Sequence, residues 1–331
     1  MLPAWEEMNK RATLAQVAAY AEVSIATASR CFSNPELLKP ATVLLVRQAA
    51  SALNYKAPRI LERDLSMARI AIFTNLFQHQ GQVEQLRGIF NALRAWPHEL
   101  LLHDVVDPAS SVAYIKKLVA TKRIEGIIFS GVPIIDELAT YLNKFSLPTV
   151  CIDNDDSRFS RVLTSEKKGC EIVADYLNKS STSQTLFLGA RPSPLSLNPG
   201  IRLKSFRDRL IQEKKAASAE LLVDPNSSQV KAEIQKILEG KKGIDAIFAD
   251  SDFLAVTALA VARELGISIP KDLKLIGYGD TDSAQQLGIT SLRTHLDARG
   301  RRAVEILRSY EPGRACIRDE LKSELVVRST T

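Results

Sequence analysis

From Arg69 onward, short β-rich apolar runs alternate with amphipathic helical stretches, and this alternation limits the fold more than any other feature of the chain. Ile70–Thr74, Leu100–Val105, Gly126–Phe129 and Thr149–Ile152 read as strands, with helices at Gln82–Leu93, Ser110–Thr121 and Ile135–Asn143 between them. The rhythm then repeats. Strands are predicted at Val162–Thr164, Thr185–Leu188, Ala219–Leu222, Ala246–Phe248 and Lys274–Ile276, separated by helices at Lys168–Asn178, Arg202–Lys214, Gln229–Leu238 and Phe253–Leu265. A strand that feeds a helix and returns beside its predecessor builds a parallel sheet. Two such runs in tandem predict two Rossmann-like lobes, closed by a helix at Ala298–Ser309 and a last strand near Leu321–Val327. Ligands of open α/β sheets sit at the carboxyl ends of the strands. Two facing lobes therefore predict a cleft that closes around a small molecule by a hinge motion.

Thr13–Asn34 has a different texture and reads as two short helices joined by a tight turn. Leu14, Val17, Ala18 and Ala21 recur at helical spacing, Val23 fills the turn, and Ala28 with Cys31 or Phe32 faces back from the second helix. Thr13 and Ser24 stand at the two helix starts, where a hydroxyl can accept from orphan backbone N–H groups. This is the spacing of a helix-turn-helix whose second helix lies in the DNA major groove; a helical hairpin inside a larger core carries the same pattern. Pro40 opens a third helix ending near Asn54, which completes an all-α headpiece. The proline-marked, charged stretch Lys56–Met67 is a connector. The expected domains are a headpiece at 8–57, a linker at 58–68 and a core at 69–331. Within the core, a first lobe takes about 69–160 and 295–312, and a second about 161–294 and 313–331.

Composition sharpens this picture locally. The 331 residues, 45 % apolar and 25 % charged, suffice for more than one buried core. Of the net charge of +6, the segment Asn9–Arg59 supplies +5: seven basic residues (Lys10, Arg11, Arg30, Lys39, Arg47, Lys56, Arg59) against Glu22 and Glu36. That concentration suits phosphate contact. The four cysteines, Cys31, Cys151, Cys170 and Cys316, form no C-x-x-C pair and read as free thiols of a reducing cytosol. The opening M-L-P-A-W-E-E has neither a basic nor an apolar region of a signal peptide, and no run reaches membrane-spanning length, so a cytoplasmic protein is expected. Met8 stands directly before Asn-Lys-Arg-Ala-Thr-Leu, so residues 1–7 read as an extra arm or a misassigned start. His79, His98, His103 and His295 lack metal-ligand spacing. There is no G-x-S-x-G, no P-loop, and no G-x-G-x-x-G after the first core strand, so no catalytic residue, metal or cofactor is expected.

T-L-A-Q-V-A-A-Y-A-E-V-S-I-A-T-A-S-R closely resembles the headpiece signature of the lactose-repressor (LacI/GalR) family of bacterial transcription regulators. The similarity continues through N-P-E-L-L-K-P-A-T, A-L-N-Y, F-A-D-S-D-F-L-A, I-P-K-D-L-K-L-I-G-Y-G-D and E-L-V-V-R-S-T, in order. The resemblance implies a repressor-type regulator working as a homodimer on double-stranded, pseudo-palindromic operator DNA. Its core would be of the periplasmic-binding-protein type (type I), taking a sugar-like small-molecule effector in the cleft. An inducer would weaken operator binding and a corepressor strengthen it. Chains with a C-terminal leucine-heptad tail form tetramers in this family, and the sequence shows no such tail, so a dimer is expected. The competing readings are a solute-binding protein of periplasmic type, against which the basic headpiece speaks, and an α/β enzyme with a helical appendage.

Residue by residue, the resemblance assigns base reading to Ile25, Ala26 and Arg30. Arg30 can offer a bidentate fork to guanine, whereas Ile25 and Ala26 can read only by apolar fit. Thr13 stands at the head of the motif, and Ser24, Thr27, Asn34 and Thr42 match phosphate-contacting positions. The family's hinge helix, with a leucine wedged in the minor groove, corresponds to Glu62, Arg63, Asp64 and Leu65. The leucine of its Ala-Arg-x-Leu pattern is kept, but two carboxylates would face phosphates. Glu22 replaces a usual turn glycine and Val43 a usual arginine. In the core, Arg202 matches the effector-clamping arginine and Ser251 an effector-contacting position, with Asp252 beside it as contact or helix cap. Tyr278 and Asp280 flank Gly279, which stands where the family often has a ligand-binding aspartate. Asn75 and Phe77, after the first core strand, are the candidates from the facing lobe.

Overall fold

The computed structural model describes residues 12–33, 38–53, 55, 68–76, 81–180, 182–195, 197, 200–212, 217–240 and 243–331. The chain divides into two compact units, Met1–Ser66 and Met67–Thr331. Asn34, Leu65, Phe77 and the hinge-like stretch Glu62–Asp64 lie outside the described residues.

The first unit contains three helices: α1 (Leu14–Tyr20), α2 (Ile25–Ser33) and α3 (Pro40–Ala52). Thr13 caps α1 through a reciprocal box. Its hydroxyl accepts from the Gln16 N–H, and the Gln16 side chain accepts from the Thr13 N–H. Ser24 does the same for α2, accepting from the Thr27 N–H at 3.0 Å. Proline at the first position of α3 sets its entry. Val17, Ala18, Ala28, Cys31, Val46, Ala49 and Ala50 form a buried core at the spacing the sequence prescribes. Small alanines let the three short helices approach closely.

In the second unit the elements run β1 (Ala68–Thr74), α4 (Gly81–Leu93), β2 (His98–Asp104), α5 (Val112–Ala120), β3 (Gly126–Ser130), α6 (Asp136–Lys144), β4 (Thr149–Ile152) and β5 (Ser160–Thr164). The chain then crosses to α7 (Glu166–Lys179), β6 (Gln184–Ala190), α8 (Ile201–Gln212), β7 (Ala217–Val223), α9 (Val230–Gly240), β8 (Ala246–Ala249), α10 (Asp252–Glu264), β9 (Lys274–Gly279), α11 (Asp282–Gln286) and β10 (Thr290–Arg293). It returns through α12 (Leu296–Arg308) and ends in β11 (Arg318–Leu321) and β12 (Glu324–Val326). One sheet has the order β11-β5-β4-β3-β1-β2, all parallel. The other has the order β12-β10-β9-β8-β6-β7, parallel except for β12 against β10. Strands β1, β3 and β4 are buried nearly throughout, as expected of parallel strands covered by helices on both faces.

Two lobe boundaries differ from the sequence reading. Val162–Thr164 opened the second lobe in that reading, yet β5 pairs with β4 and closes the first sheet. The single last strand is two, β11 on the first sheet and β12 on the second. The physical reason is that the chain crosses between lobes beyond β5, beyond β10 and between β11 and β12, and a run spanning a crossing keeps an unbroken β pattern. Helix α12 belongs with the first sheet and packs against α4 at glycine positions. A Cβ on Gly88 would lie 1.9 Å from the Asp297 carbonyl oxygen, and one on Gly300 would lie 2.1 Å from that of Gln85. Only glycine permits this approach.

Candidate functional site

The exposed face of α2 is short. Ile25, Ala26 and Arg30 are all exposed, with Ile25 at 57 % despite its apolar side chain. An isoleucine held in water at a helix start gains nothing from the core behind it, where Ala28 and Cys31 are buried. Arg30 lies on the same helix, one turn beyond Ala26. Ser24 and Thr27 are joined hydroxyl to hydroxyl at 2.8 Å, so their cap doubles as a polar edge beside Ile25. Thr13 is exposed at the start of α1, and Thr42 is partly exposed near the start of α3. Glu22, in the turn, has φ +50°, the left-handed conformation for which glycine is favoured; the side chain there costs about 1 kcal/mol. Cys31 faces α3 and donates to the Val43 carbonyl at 3.6 Å; burial pushes its thiol pKa up, partly opposed by Arg47.

In the core, the carboxyl ends of the strands gather a set of charged side chains around Arg202. Helix α8 presents Arg202 at its second residue. Its Nε and one terminal nitrogen form a two-pronged pair with Glu166, the second contact at 2.9 Å. The other terminal nitrogen donates to the Asp250 carbonyl at 2.7 Å. The guanidinium lies 4.0 Å above the Tyr278 ring centre, and the Tyr278 hydroxyl donates to Glu166 at 2.8 Å. Thus the end of β5, the start of α8, the end of β8 and strand β9 are bound into one cluster. Burial raises the Glu166 carboxyl, but Arg202 and the Tyr278 hydroxyl outweigh it and hold the group below its ordinary range. Asp250 is pushed up by burial, which Arg202 only partly opposes; its side chain accepts from the Ala190 N–H at 2.9 Å. From the first lobe, Asp153 at the end of β4 pairs with Arg299 of α12. Burial raises the Asp153 carboxyl, Arg299 lowers it, and both Glu166 and Arg202 are close enough to act on it. The cluster therefore joins both lobes.

Of the residues singled out from sequence, Arg202 and Tyr278 lie in this cluster, and Ser251 adjoins it as the cap of α10, accepting from the Leu254 N–H. Asn75 follows β1 and is 1 % exposed, and its amide has no hydrogen-bond partner among the described residues. Asp252 and Asp280 are bonded within the second lobe. Asp252 accepts from the Thr281 N–H at 2.7 Å and the Ser291 hydroxyl at 2.6 Å, which ties β8, β9 and β10 together. Asp280 is clamped between Arg293 at 2.7 Å and Arg328 at 2.6 Å. Both carboxylates serve the frame of the second lobe. Sequence reasoning missed Glu166, Asp250, Asp153 and Arg299. Asp250 and Asp153 could have been found by the rule that located Ser251, since each directly follows a strand. Glu166 stands two residues after β5, as Ser251 does after β8, whereas Arg299, inside α12, carries no such mark.

Residues 13–57 match the family of bacterial regulatory proteins called lacI, and residues 174–331 match the periplasmic binding protein-like domain. Catabolite control protein A of Staphylococcus xylosus is 25 % identical over 277 residues, covering 81 % of this chain and 82 % of that protein. The lac repressor dimer bound to operator and the anti-inducer ONPF superposes with a TM-score of 0.69 at 21 % identity, over 97 % of this chain and 99 % of that one. The transcriptional regulator CelR in complex with cellobiose gives 0.66 at 22 % identity, over 97 % and 100 %. With its helix-turn-helix at the head and a two-lobed periplasmic-binding-protein-like core behind, the chain belongs to the lacI family of bacterial regulatory proteins.

Proposed function

We propose that the protein is a DNA-binding transcriptional regulator of the repressor type, acting as a homodimer on a pseudo-palindromic operator in the cytosol and without enzymatic activity. A small hydroxyl-rich effector bound between the core lobes controls it. The observation that carries this reading is the exposed face of α2, where Ile25, Ala26 and Arg30 stand in water ahead of a lacI-type hydrophobic core. Arg30 reads a guanine through two N–H groups, Ile25 and Ala26 fit apolar base edges, and Thr13, Ser24, Thr27, Asn34 and Thr42 set the register on phosphates. Leu65 wedges into the minor groove from the linker. In the core, Arg202, Tyr278, Ser251, Asn75 and Phe77 contact the effector. The effector and operator act on each other by linkage: whatever factor the effector takes from operator affinity, the operator takes from effector affinity.

Selection of a palindrome from a random DNA pool, followed by salt-dependent gel shift, tests this. Binding is expected to fall steeply with salt. Failure to select any site, with apo protein or across an effector panel, overturns the reading. Arg30→Ala is expected to lose discrimination at one base position in each half-site, worth about 1–3 kcal/mol, while keeping nonspecific affinity. An equal loss on all sequences would make Arg30 a phosphate contact.

A further inference from the structure

A guanidinium has five N–H donors, and those of Arg202 are largely engaged before any ligand arrives. Two nitrogens face Glu166 and the third donates to the Asp250 carbonyl, while Tyr278 covers one face and braces Glu166 from behind. An arginine meant to receive a phosphate or carboxylate would keep its fork open. We propose that Glu166 sets the charge selectivity of the cleft, admitting uncharged or positively charged polyols and excluding phosphorylated and carboxylated ones. The inference rests on the reading of the cleft as the effector site.

Charge balance across the cluster points the same way. Glu166 is matched by Arg202 and Asp153 by Arg299, which among the described residues leaves Asp250 as the carboxyl of the cluster without an ion-paired cation. An anionic ligand reaching for Arg202 has to displace a carboxylate that is held on both oxygens. It then sits beside that carboxylate and Asp250 in a site where water screens poorly. A hydroxyl group meets neither obstacle, because it donates to a Glu166 oxygen while the ion pair persists. An ammonium group gains the unmatched Asp250 in addition. Glu166 is thus a specificity-determining residue that acts partly through Arg202.

The test uses the full chain and inorganic phosphate, read by thermal shift against chloride at equal ionic strength. Wild type is expected not to move. Glu166→Gln, which keeps the shape and removes the charge, is expected to gain a phosphate-dependent rise of several degrees that Glu166→Gln combined with Arg202→Gln loses. A phosphate-dependent rise in wild type that Arg202→Gln abolishes overturns the proposal, as does a Glu166→Gln protein that phosphate leaves unmoved. If the Glu166 variants do not fold, hydrogen exchange of the wild-type segment 201–212 decides: protection by phosphate overturns the proposal, and its absence supports it. Operator binding is scored separately by gel shift. Loss of the regulator reading and loss of the charge rule therefore give different results.

Discussion

At the ends of β1 and β3 the first lobe gathers neutral groups, whereas the second lobe gathers ions where β5 hands over to α7. In the neutral region the Ser130 hydroxyl donates to Gln82 at 2.9 Å and accepts from the Gln85 amide at 2.7 Å. The Thr74 hydroxyl donates to the same Gln82 oxygen at 3.3 Å. All four side chains are buried. In the charged region Glu166, Arg202, Tyr278 and Asp250 share bonds that are charge-assisted. The neutral network ties β1 and β3 to α4 through uncharged bonds within the first lobe. The ionic cluster holds opposite charges that a ligand can address without taking the lobe apart. Breaking each should therefore cost differently, and should respond differently to pH.

Arg202→Leu should have the largest effect. Removing one partner of a fully buried pair costs about 3–5 kcal/mol; because a third of the Arg202 side chain is exposed, a loss of about 2 kcal/mol is expected here. The pH dependence carries a sign. In wild type the folded Glu166 carboxyl titrates below its ordinary 4.5. Its contribution is therefore present above the unfolded value and disappears as pH falls through the folded one. Without Arg202 the largest influence opposing burial is gone, and the Glu166 carboxyl moves up against what the Tyr278 hydroxyl and Arg299 still supply. The deficit relative to wild type should be full near neutrality and shrink as pH falls, first through the variant's raised Glu166 value and then, below 4.5, through the lowered value of wild type. Urea denaturation across that range measures it. A deficit independent of pH would mean that the pair does not hold the lobe, and the contrast between regions would fail.

Ser130→Ala sharpens the same contrast from the neutral side. It removes one donor and one acceptor, leaving Gln85 and Gln82 short of a bond in a buried setting, for a cost of about 1–2 kcal/mol. No titrating group is involved, so the loss should stay level over the pH range in which the Arg202→Leu deficit changes. A loss larger than that of Arg202→Leu would reverse the order of the two regions.

The alternation of apolar runs made most strands and helices legible because parallel strands buried on both faces demand unbroken β-rich segments. The headpiece was legible for a different reason: Val17, Ala18, Ala28 and Cys31 stand at fixed helical spacing within one short segment, with caps at Thr13 and Ser24. What escaped was set by contacts between residues far apart in sequence. Glu166 and Arg202 meet across 36 positions, and Asp153 and Arg299 across 146. The strand-end positions of Asp153 and Glu166 are marked locally, but their pairing with Arg299 and Arg202 is not. The bonds of Asp252 and Asp280 escaped for the same reason, since their partners Ser291, Arg293 and Arg328 come later in the chain. Helix α11 and strand β10 went unmarked because each is short and lacks a full period of its own.

The smallest expected effect belongs to the bridge that joins the lobes. Arg87 of α4 pairs with Asp282 of α11 at 2.9 Å, and the Asp282 N–H points to Glu84 at 3.4 Å. Both charged side chains are about half exposed, so water and salt screen them, and the denaturation midpoint of Arg87→Ala should match that of wild type. The bridge nevertheless joins an element of each lobe, so its loss acts on the arrangement of the lobes even where it leaves each lobe intact. Effector affinity in Arg87→Ala should change by a factor of about two, and raising the salt should bring wild type toward the variant. A double-mutant cycle with Asp282→Asn isolates the pair from the nearby Glu84, whose carboxyl burial pushes up. If the cycle shows no coupling in effector affinity at low salt, the arrangement of the lobes does not depend on this bridge. If it shows coupling as strong as that of Glu166 with Arg202, exposed and enclosed ion pairs would count equally in this cleft, and the contrast drawn between its regions would have to be given up.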